Sequence, residues 1–143
     1  MKNIEVDMHT HSVYSDGFLA PKDLAKKMKI ERGLKACVLT DHDVYHGLPE
    51  FFSAAKEVGL DVITGMEITS FHKKTNVHIL AYGFNQKRKY YLEDFIHNHW
   101  RMHNERARVI LQKYAITGLM SATVDEVKKA IPCPGPYLDK NKI

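Results

Sequence analysis

The chain has 143 residues, which is enough for one domain with a hydrophobic core. Hydrophobic residues make up 44% and charged residues 27%, and the formal net charge of +4 suits an anionic substrate without requiring one. No apolar run approaches the about 18 residues of a membrane-spanning helix, and no apolar signal region follows Met1. Two cysteines give no disulfide framework. We therefore expect a cytoplasmic protein without a membrane partner.

The first part of the chain predicts an alternation of strands and helices. Pro21 and Pro49 suit the first turns of two helices, and Gly33 and Gly59 suit their ends. Apolar runs before and after these helices predict strands at 4–8, 36–39, 62–68 and 77–84.

This order of elements favours parallel pairing of the first three strands with right-handed crossovers, as in an α/β fold. The third and fourth strands are joined only by the polar segment 71–76. Because this segment is too short for a helical crossover, it favours antiparallel pairing of the last two strands.

The chain changes character after Gln86. Apolar residues recur at helical spacing from Tyr91 to Tyr114 and predict a long helix that ends at Gly118. A short helix is predicted at 124–130, where Thr123 and Glu126 form a capping-box pattern. We therefore expect two segments, 1–85 with strands and helices and 86–143 with helices.

Histidines and acids stand where the predicted strands end. His9 and His11 are two residues apart, so at strand spacing both side chains leave the same face. Taken alone, this pair fits a polar loop as well as a metal site. The sequence T-D-H-D at 40–43 follows the second strand, and Glu67 lies in the third.

The carboxyl ends of parallel strands meet at one edge of a sheet, so these side chains are expected to share one pocket. Asp16 follows the first strand, and His78 lies inside the fourth. Imidazole and carboxylate donors suit zinc, manganese or iron better than calcium or magnesium. A glutamate between histidine clusters can bridge two metals, and a bridged pair can hold a hydroxide nucleophile near neutral pH.

Four separated motifs resemble the PHP family, the polymerase and histidinol phosphatase superfamily. They are D-x-H-x-H-S-x-x-S-D-G at 7–17, T-D-H-D at 40–43, G-x-E at 65–67 and the strand histidine His78. The resemblance extends from about Asp7 to Phe84. The form S-D-G resembles the stand-alone phosphoesterases, which include nucleoside 3′,5′-bisphosphate phosphatases and exonucleases that trim RNA 5′ ends.

The resemblance implies an α/β fold, namely part of a distorted (β/α)7 TIM-like barrel with two or three divalent metal ions (Zn, Mn or Fe). Residues 1–85 would form the first part of the barrel, and 86–143 a helical segment. Glu67 would bridge two metals, Asp16 and His42 would act with it in catalysis, and Asp7 and Asp41 would support the ligands. The implied metal ligands are His9, His11 and Glu67 for one metal, Glu67 and His78 for a second, and Asp16 and His42 for a third.

Family members carry further ligands in a G-R-P-H motif and a later D-x-H, and neither motif occurs in this chain. We expect a chain truncated before the barrel closes, with an uncovered edge that could support a homodimer. Two functions stay open. One is a metal-dependent phosphoesterase acting on phosphorylated small molecules, nucleotides or nucleic-acid 5′ ends through a metal-bridging hydroxide. The other is an inactive fragment that serves as a metal-binding or interaction module.

Overall fold

A computed structural model of the chain describes residues 5–117, apart from 74, 86 and 88, together with Glu126. The chain divides into two compact units, Met1–Lys89 and Tyr90–Ile143. The assignment of 1–85 to part of a barrel and of 86–143 to a truncated helical segment stays a prediction. The predicted helix end at Gly118 and the short helix at 124–130 lie outside the described residues, except for Glu126.

The first unit alternates strands and helices, as the sequence predicts. Prolines stand in the first turns of both helices, and Gly59 ends the second helix with a left-handed φ of 68°. α1 continues as a π-helical turn over Lys27–Glu31. The elements are β1 (Val6–Thr10), α1 (Pro21–Lys26), β2 (Ala36–Leu39), α2 (Leu48–Val58), β3 (Asp61–Val62), β4 (Gly65–His72) and β5 (Thr75–Tyr82).

Strands β1, β2 and β3 form a parallel sheet in that order, which confirms the predicted parallel pairing. β2 lies in the middle, and Cys37, Val38 and Leu39 are buried within it. This burial explains its continuous apolar run, because a central parallel strand is covered on both faces. The helices α1 and α2 pack against each other and bury Leu24 and Phe51.

β4 and β5 form an antiparallel hairpin, which confirms the pairing expected from their short connection. The prediction of a single third strand at 62–68 is wrong, because Ile63 and Thr64 are not in strand conformation and separate β3 from β4. β3 pairs with β2, whereas β4 runs parallel to the segment after β2 and forms a bridge between His42 and Glu67. The pairing partner thus changes from β2 to the segment after β2 within the predicted strand 62–68.

Apolar side chains are exposed on the outer strands of the first unit, Val6 and Met8 on β1 and Val77 and Ile79 on β5. β1 lies at one edge of the three-stranded sheet, and the Tyr82 hydroxyl of β5 donates a hydrogen bond to the Met8 carbonyl oxygen at 2.8 Å. Dimerisation through an uncovered edge stays a prediction.

The described part of the second unit is mainly α3, Lys89–Ile116, which confirms the predicted long helix. Met102, Val109 and Ile116 are exposed on it, and Arg108 pairs with Glu105 at 2.6 Å. Within the described residues, no helix is both long and apolar enough to span a membrane.

We predict that Gly65→Ala destabilises the protein, because β4 approaches β2 too closely at this position for a side chain. An added Cβ would lie 2.3 Å from Val38 Cγ1 and 2.6 Å from the Leu39 carbonyl oxygen. Overpacking of this kind costs about 1–3 kcal/mol, which urea denaturation can measure. Because Val38→Ala removes one of the clashing groups, the double variant should lose less stability than the sum of the two single losses. A Gly65→Ala variant as stable as the parent would contradict this account.

Candidate metal centre

The carboxylate of Glu67 lies at the centre of a cluster of imidazoles. Glu67 is only 3% exposed, and its Oε2 lies 2.8 Å from His9 Nε2 and 3.2 Å from His11 Nε2. His42 Nε2 lies 3.6 Å from the same oxygen. The other oxygen, Oε1, lies 2.7 Å from His78 Nδ1. The two carboxylate oxygens therefore face different imidazoles.

Asp16 extends the cluster on the side of His11 and His42. Its Oδ1 lies 3.2 Å from His11 Nδ1, and its Oδ2 lies 3.7 Å from His42 Nε2. The structure thus brings together all six residues that the sequence suggests as ligands. Their donor atoms form three groups, each within 4.8 Å: His9, His11 and Glu67; His11, Asp16 and His42; and His42, Glu67 and His78.

These residues lie close together because the strands that carry them end or pair next to one another. Glu67 is fixed on both sides by main-chain bonds, because its N–H donates to the Asp41 carbonyl at 3.2 Å and its carbonyl accepts from Asp43 N–H at 2.8 Å. This parallel pairing sets His42 beside β4. On the other side of β4, His78 stands directly opposite Thr69 in the hairpin.

The donor set fits a divalent transition metal. Zinc binds imidazole nitrogen and carboxylate oxygen at about 2.0–2.2 Å, so two donors on one tetrahedral ion lie about 3.3 Å apart. Glu67 Oε2 lies 3.2 and 3.6 Å from His11 Nε2 and His42 Nε2, close to that value. The carboxylate contacts with His9 and His78, at 2.8 and 2.7 Å, are of hydrogen-bond length. Neighbouring imidazole rings of His9, His11 and His42 also lie only 4.8–4.9 Å apart. Mixed nitrogen and oxygen donors suit zinc, manganese and iron.

Local electrostatics keep two of these residues in the form that binds metals. Burial raises the pKa of Glu67, but its hydrogen bond with His9 and the nearby histidine charges outweigh burial and hold that pKa below its usual value. Burial lowers the pKa of His11, and the charge of Asp16 opposes this only in part. A carboxylate and a neutral imidazole are therefore favoured at neutral pH, as ligands require.

Asp41 holds the loop that carries two of the candidate ligands. Its Oδ1 accepts hydrogen bonds from the Ser12 N–H and the Ser15 hydroxyl, and its Oδ2 accepts one from the Ser12 hydroxyl, all at 2.7 Å. Burial raises the pKa of Asp41, and the bonds from the serines oppose that rise. Asp41 thus ties together the turn between His11 and Asp16.

The structure adds the two serines to the residues that shape the site. Ser12 and Ser15 both lie inside the motif at 7–17, but neither has a role that the motif alone predicts. Ser12 directly follows His11 and Ser15 directly precedes Asp16 in the sequence. This adjacency to two candidate ligands is the signal that could have identified them. Asp7 lies nearby, and its Oδ1 accepts the His9 N–H at 3.1 Å, so it orders the backbone of that histidine.

The family of the chain follows from comparison with known proteins. A model of the PHP domain matches residues 7–136. The chain belongs to the PHP domain family. This membership confirms the resemblance seen in the motifs and the predicted α/β fold class.

The PHP match extends to curated bacterial proteins over part of the chain. A 5′-3′ exoribonuclease of Haemophilus influenzae is 39% identical over 80 residues, which cover 56% of this chain and 29% of that protein. A 3′,5′-nucleoside bisphosphate phosphatase of Chromobacterium violaceum is 34% identical over 80 residues, covering 56% of this chain and 28% of its own length. The chain therefore spans less than a third of these relatives.

Solved structures show the same PHP fold over most of the chain. A protein of Bifidobacterium adolescentis described as a metal-dependent phosphoesterase superposes with a TM-score of 0.78 and 26% identity, over 92% of this chain and 44% of that one. An amidohydrolase of Chromobacterium violaceum gives a TM-score of 0.80 and 26% identity, over 97% of this chain and 47% of that one. The chain has the fold of part of these proteins.

We predict that Asp41→Ala destabilises the protein whereas Asp41→Asn is tolerated. Alanine leaves the fully buried Ser12 N–H without its acceptor, and an unsatisfied buried donor costs about 1–3 kcal/mol. Asparagine keeps an oxygen at the position of Oδ1. Urea denaturation of both variants measures the difference, and equal losses for alanine and asparagine would contradict the role given to the acceptor.

We also predict a pH-dependent contribution of Glu67 to the stability of the metal-free protein. Because its folded pKa lies below its unfolded value, its ionisation stabilises the fold above the unfolded pKa of about 4.3, and this contribution is lost as the pH falls through the folded pKa. Glu67→Gln lacks this titration. The difference in urea midpoint between parent and variant, measured with chelator present, should therefore narrow as the pH is lowered below about 4. A difference that does not change with pH would argue against it.

Proposed function

We propose that this PHP chain supplies metal-binding residues of a phosphoric ester hydrolase that acts on nucleotides or on the 5′ ends of nucleic acids. The observation that carries the proposal is the placement of Glu67. Its buried carboxylate turns one oxygen towards His9 and His11 and the other towards His78. A carboxylate placed in this way can join two metal ions at a fixed separation.

The proposed ligands of each ion are drawn from one of the three groups of donor atoms. Bound divalent metals would lower the pKa of water and neutralise the charge of a phosphate group. Glu67, Asp16 and His42 are proposed to act in catalysis by holding these ions in place, and Asp41 by holding the loop of Asp16. The proposed ligands are His9, His11 and Glu67 for the first ion, Glu67 and His78 for the second, and Asp16 and His42 for the third.

The exposure of the cluster supports access by a substrate. The side chain of Asp16 is 69% exposed and that of Glu67 only 4%. The side chains of His9 and His78 are also exposed, at 47% and 44%. A phosphate group from solvent could therefore meet Asp16 and these two histidines, while the carboxylate that joins the donor groups lies beneath them.

Comparison with relatives supports the substrate class. The Haemophilus influenzae relative is an exoribonuclease, and the Chromobacterium violaceum relative is a phosphatase of nucleoside bisphosphates. Both names specify phosphoesters of nucleosides or nucleic acids, and the formal net charge of +4 agrees with an anionic substrate.

A non-catalytic metal-binding module is the second candidate. The observation in its favour is that the chain covers only 44% and 47% of the two solved PHP structures. With only the two or three ligands that the described residues offer for each ion, affinity and charge neutralisation would both be weaker than with a complete set.

We predict that Glu67→Ala abolishes both metal retention and phosphate release. Metal content after dialysis against Zn²⁺ or Mn²⁺ would be measured by mass spectrometry. Phosphate release would be measured from a nucleoside 3′,5′-bisphosphate and from a 5′-phosphorylated oligoribonucleotide. His72→Ala is the matched control, because His72 is an exposed histidine of the same strand outside the three donor groups.

The two candidate functions give different results in this experiment. Hydrolysis by the parent and by His72→Ala, but not by Glu67→Ala, would support the phosphoesterase. Metal retention without hydrolysis in the parent would support the binding module. Hydrolysis by a metal-free Glu67→Ala variant at the parent rate would refute both roles of the glutamate.

A further inference from the structure

Asp43 has an unusual backbone conformation next to a candidate ligand. It directly follows His42, its φ is 50°, and its side chain is buried with 2% exposure. Only a few per cent of residues other than glycine adopt a positive φ, and aspartate and asparagine tolerate it best. The T-D-H-D motif therefore contains a second acid whose position the fold specifies.

The carboxylate of Asp43 takes the place of a main-chain acceptor. Asp41 and Asp43 pair with Glu67 as in a parallel ladder, through Glu67 N–H to Asp41 O and Asp43 N–H to Glu67 O. The next bond of such a ladder would join Thr69 N–H to the Asp43 carbonyl. Instead, Thr69 N–H donates to Asp43 Oδ1 at 2.7 Å. The side chain thus extends the pairing by one bond where the left-handed backbone turns away.

This bond connects two segments that carry one group of candidate ligands. Thr69 is two residues from Glu67 and stands opposite His78 in the hairpin. Asp43 is adjacent to His42, and it is not itself a member of the three donor groups. The bond therefore holds the segment of His42 against the strand pair of Glu67 and His78.

We propose that Asp43 is a positioning residue for the donor group of His42, Glu67 and His78, whose members are proposed to hold the second and third ions, and that it acts by accepting the Thr69 N–H. The proposal rests on the proposed function, since it concerns a group expected to bind a metal. Asp43 sets the distance between ligands on different segments without touching the ion. Loss of such supporting partners typically weakens metal binding by about 10–100-fold.

Three substitutions of Asp43 distinguish the effect of its acceptor oxygen from the effect of its left-handed backbone conformation. Asparagine keeps an acceptor oxygen and tolerates the left-handed φ, glycine allows this φ without an acceptor, and alanine provides neither. The matched control is Thr64→Val, which removes one side-chain hydrogen bond, Thr64 Oγ1 to the Phe84 carbonyl at 2.9 Å. That bond ties the opposite end of the same hairpin, away from Thr69.

The experiment combines three measurements on each variant. Calorimetric titration with Mn²⁺ gives the metal affinity, amide hydrogen exchange of the metal-free protein gives the protection of the Thr69 N–H, and urea denaturation gives the global stability. We expect Asp43→Gly to bind Mn²⁺ about 10–100-fold more weakly and to lose protection at Thr69 relative to other β4 amides. Asp43→Asn should stay close to the parent, and Asp43→Ala should also lose global stability. Thr64→Val should lose stability but keep its metal affinity.

Three results would overturn the proposal. Parent-like Mn²⁺ affinity in Asp43→Gly would show that the carboxylate does not position the ligands. Equal losses of affinity in Asp43→Asn and Asp43→Gly would show that charge, and not the acceptor, is what matters. A parent chain that binds neither Mn²⁺ nor Zn²⁺ in the same titration would refute the proposed function and the metal-positioning role, whereas loss of Thr69 protection in glycine but not in asparagine would still establish the bond that Asp43 supplies.

Discussion

The arrangement of the first unit depends on one buried carboxylate. A charged group removed from water is costly unless other groups solvate or pair with it, and Glu67 meets this requirement with four imidazoles. The histidines themselves are only partly buried, with side chains of His9 and His78 that are 47% and 44% exposed against 4% for Glu67. The cluster is therefore a bowl with a buried anion at its base and imidazoles around its rim. Such a shape leaves positions towards solvent for water or a substrate oxygen.

Glu67 can lie among the four imidazoles because the chain changes its pairing partner between β3 and β4. β3 uses β2 as its partner, and after Ile63 and Thr64 the chain moves alongside the segment that follows β2. Gly65 permits the close approach at this step, since its Cα packs against Val38 and the Leu39 backbone. The same step that breaks the strand brings Glu67 beside His42. Gly65 thus affects both the packing of the sheet and the geometry of the candidate site.

The parallel pairing of the first strands, the antiparallel hairpin and the meeting of six side chains could be predicted from the sequence. The ends of the parallel strands β1 and β2 share an edge, so His9 and His42 converge once their strands are recognised. Glu67 joins them from the start of β4, through the bridge to His42. The break between β3 and β4 could not be predicted, because the apolar residues Val62, Ile63, Met66 and Ile68 lie on both sides of it and apolar character does not specify a partner. The contacts of Asp41 with Ser12 and the left-handed turn at Asp43 depend on distances between segments remote in sequence. A motif indicates which residue types are present but not which backbone groups they bond.

The pattern of apolar residues specifies the register of the β4–β5 hairpin only weakly. Most of the side chains of β5 are exposed on both faces, so hydrophobic burial does little to distinguish the observed pairing from one shifted by a single residue. Two polar contacts do distinguish them, His78 with Glu67 and the Tyr82 hydroxyl with the Met8 carbonyl. A slip of one residue would turn both side chains to the opposite face and break both contacts together. The residues that form the candidate site therefore also select the strand alignment on which that site depends, so a misaligned hairpin would be unable to complete it.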